Sequence, residues 1–177
     1  MTLKRISQNI DQRNGEVLIE SLDDCRSFAE FIACRVKTPL CIALSGTLGA
    51  GKTQWTKFFA MALGAPRESI SSPTFMLVHE YTSDPPIYHL DAYRIGDEEE
   101  MLELGIEEML DAEAITIVEW ADRFPRLLPN HTLGIHFDLG ESSESRLATI
   151  QATGERAGAI LLNLMHHLDI GNTMSKE

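Results

Sequence analysis

The run Gly46-Thr47-Leu48-Gly49-Ala50-Gly51-Lys52-Thr53 constrains this chain more than any other feature. Before it lies Leu40 to Leu44, a continuous apolar segment of the kind buried on both faces of a sheet. After it, Gln54 to Leu63 carries good helix formers with apolar residues on one side, and Gly64 stands at a C-cap position. Strand, glycine-rich turn and helix in this order, with Gly46, Gly51, Lys52 and Thr53 matching G-x-x-x-x-G-K-[ST], read as a P-loop. Glycines permit a tight turn whose amides converge on phosphate, and the following helix adds partial positive charge at its N-terminus. Lys52 is placed to reach the β and γ phosphates, and the Thr53 hydroxyl to help hold Mg²⁺. A glycine-rich turn with an exposed lysine is the plainer alternative, which the flanking strand and helix disfavour.

The remaining pattern builds a sheet around that strand. Glu16 to Ile19 reads as a short strand, and Ser21 or Asp23 can cap a helix with apolar residues at Leu22, Phe28, Phe31, Ile32 and Val36, ended by Pro39. Met76 to Tyr81 and Ile87 to Leu90 read as neighbouring strands joined by Ser83-Asp84-Pro85-Pro86. Glu98 to Leu110 has helical spacing interrupted by Gly105, Ala114 to Val118 is a buried-type strand, and a short helix spans Ala121 to Leu128. Strands at Thr132 to Asp138 and Arg146 to Ala152 precede a last helix from Glu155 to Leu168. The order predicts the α/β class: one P-loop domain over residues 1–168, with a mixed, mostly parallel sheet flanked by helices, and a disordered polar tail over 169–177.

Composition narrows the setting. A chain of 177 residues with 44% hydrophobic residues can bury a single core without disulfides or a structural metal. Cys25, Cys34 and Cys41 lack paired spacing and read as reduced core thiols, and the six histidines show no metal-binding spacing and read as structural or surface residues. No signal-like or membrane-spanning apolar run is present, so a cytoplasmic, membrane-free protein is expected. Net charge −12 opposes direct binding of a nucleic acid, although the acidic run Asp97 to Glu100 also suits a solvated helix face.

A P-loop binds phosphate without hydrolysing it, so the acids at the same sheet edge matter. Asp91 ends one strand and Glu119 another; if both run parallel to Leu40 to Leu44, their carboxylates meet the P-loop at the carboxyl edge, where open α/β sheets bind ligands. There they can orient water or hold Mg²⁺. Alternatives remain: Asp91 can pair with Arg94, Glu119 can be an ordinary strand-end acid, and Trp120 can pack as readily as it stacks on a base. The loop Ser71-Ser72-Pro73-Thr74-Phe75 offers Thr74 as a γ-phosphate sensor, or simple turn chemistry. An Asn-Lys-x-Asp run for guanine is missing, which favours ATP over GTP.

Leu48 to Thr53, Ser72-Pro73-Thr74-Phe75, His89-Leu90-Asp91-Ala92-Tyr93-Arg94 and Glu119-Trp120, in this order, resemble the TsaE family, formerly YjeE. The resemblance extends roughly from Asp23 to Gly154. It implies a P-loop ATPase that supports N6-threonylcarbamoyladenosine formation at position 37 of tRNAs reading ANN codons, by sustaining turnover of a TsaB–TsaD pair; tRNA is met only through that complex. By position, it implies ATP contacts at Thr47, Leu48, Gly49, Ala50, Gly51, Lys52, Thr53, Thr74 and Trp120. It assigns Mg²⁺ contacts to Thr53, Asp91 and Glu119, and catalytic roles to Lys52, Asp91 and Glu119. Thr47 replaces the family's usual aspartate, and Leu90 and Ala92 depart from H-F-D-L-Y-R. Two other readings share the P-loop: a small-molecule kinase, for which Arg94, Arg123 and Arg126 are the lid candidates, and a nucleotide-gated interaction module.

Overall fold

The computed structural model describes the backbone of residues 4–5, 13–70 and 77–174, and the side chains of 13–70 and 77–169. The elements are β1 (Lys4–Arg5), β2 (Asn14–Ile19), α1 (Leu22–Ala33), β3 (Leu40–Gly46), α2 (Lys52–Ala62), β4 (Val78–Tyr81) and β5 (Ile87–Asp91). They continue with α3 (Glu98–Glu103), α4 (Ile106–Asp111), β6 (Ile115–Glu119), β7 (Thr132–Leu139), β8 (Arg146–Ala152) and α5 (Gly154–Met174). All eight strands form one sheet in the order β1-β2-β8-β7-β3-β6-β5-β4.

The expected mixed sheet is present, with its parallel part confined to the centre. β7, β3, β6 and β5 run parallel, whereas β4 on one flank and β8, β2 and β1 on the other are antiparallel. Central strands need cover on both faces, and their sequences are correspondingly apolar: Ile115 to Glu119 is buried at every position. One face packs under α1, α2 and α5 through Phe28, Ile32, Trp55, Phe59, Leu161 and Leu164. Trp55 stacks on Phe59 with centroids 5.1 Å apart and meets Phe28 at 6.0 Å. Each such aromatic pair adds roughly 0.5–1.5 kcal/mol beyond burial. The other face, over β3, β5 and β6, carries a smaller core of Leu90, Ala92, Met101, Ile106, Leu110, Val118 and Phe124.

Several local expectations are corrected. α1 stops at Ala33, short of Val36 and Pro39, and Ser21 rather than Asp23 caps it by accepting from the Asp24 amide. The single helix expected over Ala121 to Leu128 is two 3-10 turns, Ala121–Arg123 and Pro125–Leu127, because Pro125 cannot donate into a continuing helix. The last helix runs to Met174, six residues into the segment expected to be a disordered tail; no proline stops it, and each added residue of a nucleated helix gains one hydrogen bond. Cys25 and Cys41 are buried core thiols as expected, while Cys34 is exposed. As anticipated, Gly105 splits the acidic helix: at φ +78° it closes α3 and opens α4.

Candidate functional site

β3 delivers the chain to the carboxyl edge of the sheet, and the loop after it turns on glycines. Gly46, Gly49 and Gly51 have φ of +121°, +78° and +108°, a region that side chains with a Cβ rarely occupy. Gly46 has a second reason to be glycine: a Cβ there would lie 2.2 Å from the Phe137 carbonyl oxygen of β7. Ala50 is buried, whereas Thr47, Leu48 and Gly49 face outward. α2 begins at Lys52, so Lys52 and Thr53 occupy its first turn, where free amides and the helix dipole favour an anion.

The Lys52 side chain is folded into the loop. Its Nζ donates to the Gly46 carbonyl at 2.7 Å and the Thr47 carbonyl at 3.0 Å, and sits 3.7 Å from the centroid of the Trp120 ring. Burial lowers its pKa from the ordinary lysine value, opposed by the negative charges of Glu119, Asp122 and Asp91. Thr47 serves here through its backbone, which any residue supplies. Arg146, at the start of β8, braces the opposite side of the loop by donating to Ala50 O at 3.1 Å and Gly49 O at 3.2 Å.

Parallel pairing aligns the acids with this loop. Glu119 is the register partner of Leu44 in β3 and of Asp91 in β5, so both carboxylates end at the same edge. Glu119 is 2% exposed and its Oε2 accepts from the Thr53 hydroxyl at 2.8 Å. Its Oε1 is 2.9 Å from His89 Nε2, and His89 Nδ1 is 2.9 Å from the Tyr81 hydroxyl. Asp91, also buried, accepts from the Tyr93 amide at 3.0 Å and so caps the turn Ala92–Arg94.

Trp120 adopts φ +61°, ψ +33°, a left-handed conformation rare for a large side chain. That backbone kink sends the ring back over Lys52, with the exposed Tyr93 ring 4.9 Å away. Residues in such conformations cost of order 1–3 kcal/mol and cluster at functional sites. The Trp120 ring thus packs between the Lys52 ammonium and Tyr93 at the edge of the loop. Thr74 lies outside the described residues. Arg123, one of the lid candidates, donates instead to Ala92 O and Tyr93 O at 2.6 and 2.5 Å and so fastens the turn after β5.

Among the described residues, no three His, Cys, Asp or Glu side chains form a protein-only metal cage. Mg²⁺ binding does not require one, since it commonly uses one or two carboxylates together with substrate phosphates and water. Thr53, Glu119 and Asp91 are hard oxygen donors gathered beside the loop, and this donor set fits that cation.

Sequence reasoning assigned Lys52, Thr53, Asp91, Glu119 and Trp120 to one site, and the fold brings them to one edge. It gave no role to Tyr81, which was read only as part of a strand, to His89, which lies within the His89 to Arg94 motif and was read as structural or surface, or to Arg146 as a brace on the loop. The departures Leu90 and Ala92 both sit in the second core, at packing positions.

An α/β protein carrying a P-loop and two buried acids at the carboxyl edge of its sheet is the class that fold and site define. The family model described as threonylcarbamoyl adenosine biosynthesis protein TsaE matches residues 19–148, and the chain belongs to the TsaE family. A Bacillus subtilis tRNA threonylcarbamoyladenosine biosynthesis protein TsaE is 35% identical over 151 residues, 85% of this chain and 93% of its own. Its Aquifex aeolicus namesake is 42% identical over 110 residues, 61% of this chain and 77% of its own. The crystal structure of Bacillus subtilis YdiB superposes with a TM-score of 0.72 at 29% identity, covering 88% of this chain and 96% of that one. No described helix is long and apolar enough to cross a membrane.

Proposed function

We propose that this chain hydrolyses ATP to support threonylcarbamoyladenosine formation at position 37 of tRNAs reading ANN codons, by sustaining turnover of a TsaB–TsaD homologue pair. The observation that carries this reading is the Thr53–Glu119 hydrogen bond of 2.8 Å beside Lys52. It joins the phosphate-binding helix to a buried acid able to receive a proton.

Gly49 to Thr53 hold the phosphates, and Lys52 turns from the Gly46 and Thr47 carbonyls to the β and γ phosphates. Thr53, Asp91 and Glu119 hold Mg²⁺, directly or through water, and the cation supplies charge neutralisation on the phosphoryl oxygens. Water attacks the γ-phosphorus, the bond to the bridging oxygen breaks with its electron pair leaving on ADP, and a water proton passes to the Glu119 carboxylate. Trp120 lies against the nucleotide through its position over Lys52. Net charge −12 keeps a polyanion at a distance, in keeping with tRNA being met only through the partner complex in the cytoplasm.

The test is ATP hydrolysis by the purified protein with Mg²⁺, alone and with the TsaB–TsaD pair. The pair is expected to accelerate turnover, and Lys52→Ala or Glu119→Gln to reduce it ~100-fold or more. Turnover indifferent to both substitutions sinks the proposal. In a reconstituted tRNA modification assay, Glu119→Ala is expected to bind ATP and fail; sustained modification by that variant favours a nucleotide-gated module instead.

A further inference from the structure

We infer that His89 is a positioning residue for Glu119, with Tyr81 fixing the orientation and tautomer of its ring. The inference rests on the ATPase reading above and extends it to two residues that never touch the nucleotide.

Glu119 is almost fully buried, and a buried carboxylate needs hydrogen bonds on both oxygens. Oε2 has the Thr53 hydroxyl and Oε1 has His89 Nε2. An ionised carboxylate only accepts, so Nε2 must carry a proton. In a neutral imidazole Nδ1 then bears the lone pair, and the Tyr81 hydroxyl at 2.9 Å must donate to it. Tyr81 suits that task. Burial, reinforced by the Glu119 charge, pushes its pKa up to about 12, so it keeps its proton through the neutral range. Every group in the line Tyr81–His89–Glu119–Thr53 thus has one assigned role, and the directions are mutually consistent.

The two bonds to Glu119 differ in kind. Thr53 belongs to the phosphate- and cation-binding helix, so its hydroxyl reorients as ligands come and go. His89 is 1% exposed on β5 and is backed by Tyr81, fully buried on the antiparallel neighbour β4, so the His89 bond to Oε1 is independent of ligand. His89 therefore fixes the carboxylate while Thr53 exchanges partners, leaving the Oε2 side aimed at the attacking water. Misplacement of a reacting group by about 1 Å can cost ~100-fold in rate.

Three variants and one spectrum test this. His89→Leu removes the donor at similar volume and is expected to lower kcat about 10- to 100-fold, as loss of an orienting partner typically does. ADP affinity and the KM for ATP should stay within about threefold. His89→Gln restores an N–H near the Nε2 position and should recover at least several-fold of the lost kcat. Tyr81→Phe should cost about threefold, with little change in thermal midpoint. Nitrogen-15 NMR of the ligand-free protein should show His89 protonated at Nε2 and bare at Nδ1. Leu and Gln variants with equal kcat, parallel loss of affinity and kcat, or a proton on Nδ1 would each overturn the inference. A wild-type protein that does not cleave ATP defeats the ATPase reading, and the positioning role with it; the spectrum then still reports whether the hydrogen bond exists.

Discussion

The two flanks of the P-loop strand solve different problems. Towards β6 and β5 the carboxyl edge buries Lys52, His89, Asp91 and Glu119, four polar side chains within the interior. On the other side β7 is still parallel to β3, but from β7 through β8 to β2 the pairing is antiparallel, and several polar side chains reach solvent: His136 and Asp138 are about half exposed, and Gln151 is exposed. Antiparallel strands commonly leave one face wet at little cost, whereas buried ionisable groups must be hydrogen-bonded or destabilise the fold. The difference teaches where this chain spends stability. The β6–β5 side gathers the buried ionisable groups, and the β7–β8 side is a frame that holds the loop from behind through Arg146.

The sharpest way to break that contrast is a pair of glycine substitutions on neighbouring strands. Gly46→Ala places a Cβ 2.2 Å from the Phe137 carbonyl at φ +121°, so backbone must move; about 3 kcal/mol or more of stability should be lost by denaturant titration. Gly134→Ala on β7 has its nearest atom at 3.6 Å, and should change stability by no more than about 0.5 kcal/mol. Equal effects would mean that loop and frame are not mechanically distinct.

Arg146→Ala comes next. It removes a frame residue that braces the loop crest at Gly49 and Ala50, and should weaken ADP binding about tenfold by calorimetry. The lost bonds are backbone contacts away from the acids, so kcat at saturating ATP should fall far less. A dominant kcat effect would place Arg146 in the chemistry.

The smallest effect concerns pH and the core behind the site. Burial pushes the Cys25 and Cys41 thiols up to about 12 from 9.0. Their stabilising contribution is complete below pH 9 and is lost as pH rises towards 12, because the unfolded chain releases those protons first. At pH 10 each costs on the order of 1 kcal/mol. Lys52 acts with the opposite sign, since its lowered pKa makes the buried charge a cost that alkali relieves. Thermal midpoints between pH 8 and 10 should therefore decline overall, and Cys41→Ala should flatten the decline.

Much of this was legible in the sequence because it depends on local order. Strand, glycine turn, Lys52 and Thr53 are contiguous, and the apolar runs before Asp91 and Glu119 place both at strand ends. The Tyr81–His89 contact was not legible, because it needs the register of β4 on β5 as well as the burial of that hairpin edge. Arg146 lies 96 residues from Ala50 in the chain and reaches it only through sheet order. The Ala121 to Leu128 helix failed for a local reason that was present to be read, Pro125. Trp120 gave no warning of its left-handed backbone, since nothing in its neighbours requires it.

That kink also gives the molecule an optical asymmetry. Of its two tryptophans, Trp55 is sealed between Phe28 and Phe59 with no partner for its indole N–H among the described residues, while Trp120 lies half-buried on an ammonium group at the loop. Any movement of Lys52 away from that ring changes the charge beside one fluorophore and leaves the other in the same surroundings. Emission from the unmodified protein should thus follow occupancy of the loop without an added dye, and a Trp120→Phe variant should keep the Trp55 emission and lose that response.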